Sequence, residues 1–435
     1  MGILVKRPIP KGDVDHIELN RWWSTIWVRL FLRSPSGPWQ NPACRTLTNV
    51  GARRDTQLRH WPDGPVCTLR KRVEMANLSV RICGIEFANP ILPAAGPPSK
   101  DGAMLLAAAR GGAGGLVTKT ISVKPADVPR PCMAEIRGGF LNTELWSELP
   151  KEQWLEIEYK MTREAGLPVI VGLGYSEEQI RELAPLVKPY ADALELSTHY
   201  VGNDISPIIN ALKAAKDAVD VPVFMKLSPH PNIQEIAVAL ENAGADGLVM
   251  INSFGPCLSI DLDTGLPLMG SKDGFGWLSG AAIKPLALRC IYQAARTVKI
   301  PIFGVGGVCN GRDAAEMFMA GASAVQVCTE AILRGPTVYG KIARELNAFL
   351  DGHGYSSVEE IKGLTIRRMA ERGAPKSAGA PKVNDERCSL CGQCEVSCPY
   401  GAITHEERLM IDEEKCFTCG LCLSRCKRNA LSMAQ

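Results

Sequence analysis

Between about Asn77 and Leu350 the chain repeats one unit: a short apolar run, a polar loop, then an amphipathic stretch of helical period. The runs are NPILPAAG (89–96), GLVTKT (115–120), PVIVGLG (168–174), ADALELS (191–197), PVFMKLS (222–228), DGLVMIN (246–252), PIFGVGG (301–307) and SAVQVCT (323–329). Near-continuous apolar runs of this kind are what strands buried on both faces look like. Helices are predicted between them, among others over 204–219, 233–243, 281–298 and 312–320. Eight such units in about 270 residues fit a closed (β/α)8 barrel, a TIM barrel, better than an open doubly wound sheet.

In such a barrel, chemistry sits at the C-terminal ends of the strands. Here those ends read Ala95-Gly96, Lys119-Thr120, Gly172–Gly174, Ser197–Tyr200, Lys226, Asn252-Ser253, Gly306-Gly307 and Cys328-Thr329. Bare glycine amides facing a helix N-terminus make a phosphate cradle, and the end of the seventh run offers one. A lone GxGG is weak, since glycine also serves tight turns. It gains weight because Lys119 and Lys226 end two other strands at the same mouth. Two cations flanking a phosphate cradle suit an anionic ring cofactor such as a flavin phosphate.

Sixteen cysteines are unevenly placed, eight of them within the last 48 residues. Their spacings are Cys388-x2-Cys391-x2-Cys394-x3-Cys398-Pro and Cys416-x2-Cys419-x2-Cys422-x3-Cys426. Zinc prefers two separated CxxC pairs, not a CxxCxxC triple, and disulfides suit secreted chains. The pattern resembles bacterial-type ferredoxins, which carry two [4Fe–4S] clusters and a small α+β fold. That resemblance implies Cys388, Cys391, Cys394 and Cys426 on one cluster, with Cys416, Cys419, Cys422 and Cys398 on the other. Lys427 stands where proline often follows the second run, and touches no ligand position. A one-electron wire beside a barrel calls for a cofactor that couples hydride to single-electron chemistry.

TKTIS (Thr118–Ser122), KLSP (Lys226–Pro229), WLSGAAIKPLALR (Trp277–Arg289) and IFGVGGV (Ile302–Val308) resemble the dihydroorotate dehydrogenase superfamily of FMN barrels. FLNTELWSE (Phe140–Glu148) and the ferredoxin tail look most like the flavin-plus-ferredoxin half of dihydropyrimidine dehydrogenases. The resemblance implies FMN against Ala95 and Gly96, with Lys119 and Thr120 touching its ring and the substrate. Lys226 would contact the flavin and Gly280 the ribityl chain. Gly306, Gly307, Cys328 and Thr329 would hold the phosphate. Cys328 stands where glycine is usual, so its backbone amide would do the holding. Asn142, Asn252 and Ser253 match positions that grip the amide edge of a pyrimidine ring. An asparagine offers both donor and acceptor to such an edge. The plainer reading of Asn142 is a cap on the following helix.

The loop ALELSTHYVGND (193–204) departs from the family. Relatives end this strand in Asn-x-Ser-Cys-Pro or a serine variant, the asparagine touching flavin and substrate and the cysteine moving a proton. Here Ser197 replaces the asparagine and Tyr200 the cysteine. Tyr200 or its neighbour His199 is expected to donate the proton, since neutral tyrosine is a ready acid at pH 7. The plainer reading leaves His199 in solvent and Tyr200 as a pocket wall. This departure points toward reduction of an activated C=C bond and puts a plain pyrimidine or dihydroorotate substrate in doubt.

Apolar residues make up 46% and charged residues 22% of the 435, an ordinary globular balance, and no run is long enough to span a membrane. Residues 1–74 hold 13 Lys/Arg against 6 Asp/Glu and five of eight tryptophans; the remainder holds 36 against 40, which gives no nucleic-acid surface. Residues 1–74 read either as a membrane-surface or targeting segment around Trp22–Leu32 or as an artefact of start-site choice, with translation really starting at Met75. The expected organisation is this extension, a barrel over 75–350, a linker with a short helix over 351–384 (helix 357–371), and the cluster module over 385–435. No GxGxxG dinucleotide fingerprint occurs in the right context, so an NAD(P)/FAD-binding partner subunit or a ferredoxin is expected to exchange electrons, in a homo- or hetero-oligomer. A cytoplasmic enzyme acting on a small cyclic substrate is the leading reading. Another activated ring or enoyl substrate, and a non-catalytic electron-transfer subunit, are the alternatives.

Overall fold

The computed structural model describes residues 76–174, 176–197, 202, 204–373 and 379–433. The 1–74 extension, His199 and Tyr200 lie outside the described residues.

Each apolar run becomes a parallel strand. In chain order these are β1 (Ile91–Pro93), β2 (Leu116–Val117), β3 (Val169–Leu173), β4 (Ala193–Ser197), β5 (Val223–Leu227), β6 (Gly247–Met250), β7 (Ile302–Val305) and β8 (Ala324–Val327). Neighbours pair in sequence from β2 to β8, and β8 pairs β1 through Val325 and Ile91. The ring closes where the Gly114 N–H donates to the Ile91 carbonyl at 2.9 Å. Every residue of β3, β4 and β5 is buried, which is why these runs are unbroken rather than alternating.

Helices α1 (Gly102–Arg110), α2 (residues 151–163), α3 (Glu177–Val187), α4 (Ser206–Ala218), α5 (Ile233–Asn242), α6 (Lys284–Ala295), α7 (Gly311–Ala320) and α8 (Val338–His353) surround it. Short polar side chains cap the starts of α1, α3 and α7. Asp101 accepts from the Met104 N–H, and Asn310 accepts from the N–H groups of Arg312 and Asp313. The middle turn of α2, Trp154–Glu158, is a π-helix whose Trp154 is fully buried with Nε1 donating to Ser147 Oγ at 2.8 Å. Before β1, the hairpin Val80–Ile82/Ile85–Phe87 carries Phe87 into the barrel, where it leaves no room for a side chain at Gly115.

Two long insertions at the mouth were not visible as structure in the sequence. Residues of 121–150, after β2, and of 251–280, after β6, supply a four-stranded antiparallel sheet in the order Phe254–Cys257, Gly276–Ser279, Gly139–Asn142, Met133–Ile136. This sheet is the lid of the site.

The expected single helix over 357–371 is two helices, Val358–Ile361 and Leu364–Glu371. Gly363, at φ 66°, breaks them, and its N–H donates to the Phe318 carbonyl of α7. Val358 and Ile361 are fully buried and Ser356 accepts from the Asn77 N–H. Residues 351–363, expected as linker, are therefore part of the barrel wall.

The cysteine module carries the strand pairs Lys382–Val383/Leu431–Ser432 and Ile403–His405/Leu409–Ile411, with short helices Gln393–Val396 and Leu421–Arg425. Its backbone repeats after 28 residues. Leu390 and Thr418 share a left-handed conformation, as do Gly392 with Gly420 and Gly401 with Asn429. Among the described residues no helix is long and apolar enough to cross a membrane.

Candidate active site

The strand ends and the lid enclose one cavity of ≈ 410 Å³, inside the range of cofactor and small-molecule sites. Fourteen predicted site residues line it together. Ala95 and Gly96 follow β1, Lys119 and Thr120 follow β2, Ser197 ends β4, Lys226 lies in β5, and Asn252 and Ser253 follow β6. Gly306 and Gly307 follow β7, Cys328 and Thr329 follow β8, and Asn142 and Gly280 come from the lid.

The two lysines are both bound to carboxylates. Lys119 Nζ donates to Glu144 Oε2 at 2.7 Å, joining the end of β2 to the lid. Lys226 Nζ donates to Glu195 Oε1 at 3.0 Å, and Gln326 Nε2 donates to the other oxygen at 2.6 Å. Glu195 is 0% exposed, inside a strand that is otherwise apolar up to Ser197. Glu144, Glu195 and Gln326 were not picked out from the sequence. The signal for Glu195 was present, as a charge interrupting a run that must be buried on both faces.

Asn142 does not cap a helix. It ends a lid strand, donates from Nδ2 to the Trp277 carbonyl at 3.0 Å and accepts from the Glu144 N–H. A carboxamide has two N–H donors and two acceptor lone pairs, so half its capacity remains for a ligand. Asn252 Oδ1 accepts from the Ser253 N–H at 2.9 Å, which fixes its amide at the end of β6. Trp146, also in the wall, donates from Nε1 to the Ser197 carbonyl at 3.3 Å. Any side chain at Gly174 would collide with its ring, the Cβ falling 2.1 Å from Nε1. The lid is thus pinned to the ends of β3 and β4.

At the far side, Gly306 and Gly307 have φ of 116° and 79°, which only glycine adopts without strain. A Cβ on Gly307 would lie 2.8 Å from the Lys284 backbone nitrogen. Chain, helix start and glycine amides are therefore packed as tightly as a phosphate cradle requires. Thr329 opens a short helix, Thr329–Arg334, and its Oγ1 lies 2.9 Å from Ser279 Oγ of the lid. Burial pushes the Cys328 thiol up to about 11, with the nearby Lys226 and Lys119 pulling the other way. Its sulfur is a neutral packing group, close enough to Gly96 that a Cβ there would meet it at 2.7 Å. Volume, paired ammonium groups and the glycine cradle fit a flavin mononucleotide.

In the cysteine module all eight thiols are free. Cys398, Cys416, Cys419 and Cys422 surround a single small cavity, closed by Tyr400, Ile403, Ile411 and Phe417. Cys398 belongs to the first run and the other three to the second, so the fourth thiol crosses between repeats. Equivalent N–H groups approach the two fourth sulfurs, Ala402 to Cys398 at 3.4 Å and Ala430 to Cys426 at 3.2 Å.

A barrel with this mouth, joined to such a module, defines a flavin and iron–sulfur oxidoreductase. The dihydroorotate dehydrogenase family model matches residues 77–350, and a 4Fe-4S dicluster domain matches 387–430. The chain is 42% identical over 300 residues to the dihydroorotate dehydrogenase B (NAD(+)) catalytic subunit of Methanothermobacter thermautotrophicus, covering 66% of this chain and 98% of that protein. The catalytic subunits of the same name from Pyrococcus abyssi and Methanocaldococcus jannaschii are each 36% identical, over 67% and 66% of this chain and 99% and 97% of theirs. The chain belongs to the dihydroorotate dehydrogenase family. It is an oxidoreductase acting on CH–CH bonds, with FMN and [4Fe–4S] clusters as cofactors.

Proposed function

We propose that the chain interconverts a C–C and a C=C bond in an uncharged cyclic amide of the dihydropyrimidine type. The observation that carries this reading is the pairing of both cavity lysines with carboxylates, Lys119 with Glu144 and Lys226 with Glu195. Among the described residues no arginine lines the cavity. A ring bearing its own carboxylate, such as dihydroorotate, would meet ammonium groups whose charge is already offset, and would lie near the Glu144 anion. A neutral amide edge meets no such repulsion.

A bound FMN would supply hydride chemistry at the substrate carbon. The chain's own groups orient and protonate. Asn142 and Asn252, each held by one backbone partner on its carbonyl side, present fixed amides to the N–H/C=O edge of the ring. Ser253 and Ser197 add hydroxyl contacts, and Trp146 and the lid exclude water. His199 or Tyr200 supplies the proton opposite the cofactor face. Ala95, Gly96, Lys119, Thr120, Lys226 and Gly280 would hold the flavin ring and ribityl chain, and Gly306, Gly307, Cys328 and Thr329 its phosphate. Cys388, Cys391, Cys394 and Cys426 would hold one cluster, and Cys416, Cys419, Cys422 and Cys398 the other. Electrons then pass to a partner. The relatives' names, which specify NAD(+) and a catalytic subunit, support an NAD-linked second subunit in a hetero-oligomer, and a free ferredoxin serves equally well in a test.

Titrating the oxidised enzyme with uracil, thymine, dihydroorotate and orotate, and reading the flavin absorbance, tests the reading. The neutral pyrimidines should perturb the spectrum at the lower concentrations. Tighter binding of the carboxylate-bearing rings would sink it. Loss of turnover in Tyr200→Phe or His199→Ala, with flavin and clusters retained, identifies the proton donor; full activity in both removes that loop from the chemistry.

A further inference from the structure

Glu195 sits inside the barrel wall with no exposed surface and with both carboxylate oxygens engaged, one by Lys226 from β5 and one by Gln326 from β8. A carboxylate gripped from the adjacent β5 and from β8 across the barrel cannot turn. A fully buried charge is costly, and an apolar residue would serve the strand at least as well. Its presence therefore calls for a role, and Lys226, whose side chain is 5% exposed and which lines the cavity, is the group it can act through.

We propose that Glu195 is a positioning residue that holds the Lys226 ammonium aimed into the FMN cavity. The charged and titratable groups nearby are Glu195 itself, the Cys328 thiol, and Lys119 with its partner Glu144. Of these, only Glu195 lies within bonding distance of Lys226 with an opposite charge. Without it, the Lys226 ammonium loses the partner that fixes its direction, and the Lys119 cation in the same wall favours its turning away from the cavity. In Glu195→Gln one carbonyl oxygen remains to accept from two donors, and the new NH2 opposes whichever donor is left. Reduction places negative charge on the flavin ring, which a nearby cation stabilises. Losing that cation lowers the flavin midpoint potential. Simple removal of an anion with Lys226 still in place would raise it, so the sign decides.

The test compares wild type, Glu195→Gln, Lys226→Met and the double variant as full-length protein. It reads the flavin midpoint potential by dye equilibration and the affinity of FMN for protein stripped of flavin and refilled. Both single variants should have lower potentials and bind FMN about tenfold more weakly. The double variant should be no lower in potential than Lys226→Met alone, since Glu195 acts through that lysine. An unchanged or raised potential in Glu195→Gln, or additive falls, overturns the proposal. An unchanged potential in Lys226→Met overturns it differently, by showing that the lysine does not address the ring. Stripped wild type that takes up no FMN instead overturns the placement of the cofactor, and the proposal resting on it. Should Glu195→Gln fail to fold, Gln326→Met frees only one oxygen and should lower the potential by less; no fall there also overturns the proposal.

Discussion

Glu144→Gln should make the enzyme accept carboxylate-bearing rings. In the wild type Glu144 Oε2 lies 2.7 Å from Lys119 Nζ, and the two side chains are 18% and 7% exposed. The glutamine keeps an oxygen able to accept the same hydrogen bond, so the lid stays docked while one negative charge disappears. Two unit charges 4 Å apart interact by about 4 kcal/mol at an effective dielectric of 20. Solvent at the partly exposed Glu144 reduces this, and about 1.5–3 kcal/mol is a reasonable share for a ligand carboxylate near Lys119. That corresponds to a shift of roughly 10- to 150-fold in the ratio of orotate to uracil affinity. The ratio is measured by flavin difference spectra at constant ionic strength, which cancels changes common to both ligands. A shift below about threefold, in a variant that retains flavin and clusters, would refute the charge argument.

Gly307→Ala should lower stability by at least about 2 kcal/mol and deplete FMN, because a positive φ and the Lys284 backbone both reject a Cβ; thermal unfolding and flavin absorbance read this. Cys398→Ser should remove about half of the bound iron by opening the cavity it shares with Cys416, Cys419 and Cys422, with FMN content unchanged; retention of all the iron would show that the fourth thiol is not a ligand. Trp154→Ala should cost about 3–5 kcal/mol, since the ring is fully buried and its N–H bonds Ser147. Burial, followed by Glu330 and Asp313, pushes the Cys309 thiol up to about 11, so its thiolate is scarce at pH 8 and appears only as pH rises toward that value. Alkylation mapped by mass spectrometry should therefore label Cys309 about a hundredfold or more slowly than an unperturbed exposed thiol at pH 8; equal rates would contradict the burial.

The barrel was legible because strands buried on both faces leave continuous apolar runs, and all eight runs became strands. The strand-end residues followed, because a barrel can use only one face of its strands' ends. The lid was not legible. Its strands, MAEI, GFLN, FGPC and GWLS, are four residues long and half exposed, and three of them contain glycine, so no period of two accumulates. The break at Gly363 was hidden for a related reason, since helical periodicity continues across Lys362-Gly363 and only the Phe318 carbonyl reveals why the chain turns. Asn142 illustrates the remaining gap. Its type announced a polar contact, but its strand and its Trp277 partner are products of tertiary pairing between segments 135 residues apart.

The lid has an evolutionary consequence. Asn142, Glu144, Trp146 and Trp277 come from two insertions, whereas the glycine cradle, Lys226 and Glu195 belong to the barrel strands and their ends. Under the proposed assignment, the insertions supply most of the reactant contacts and the barrel most of those to the prosthetic group, with Ser197 and Gly280 as the exceptions. Mutations can drift through the insertions, trading one ring for another, while the redox apparatus underneath is inherited intact. Lineages sharing this barrel can therefore diverge in diet without reinventing their engine.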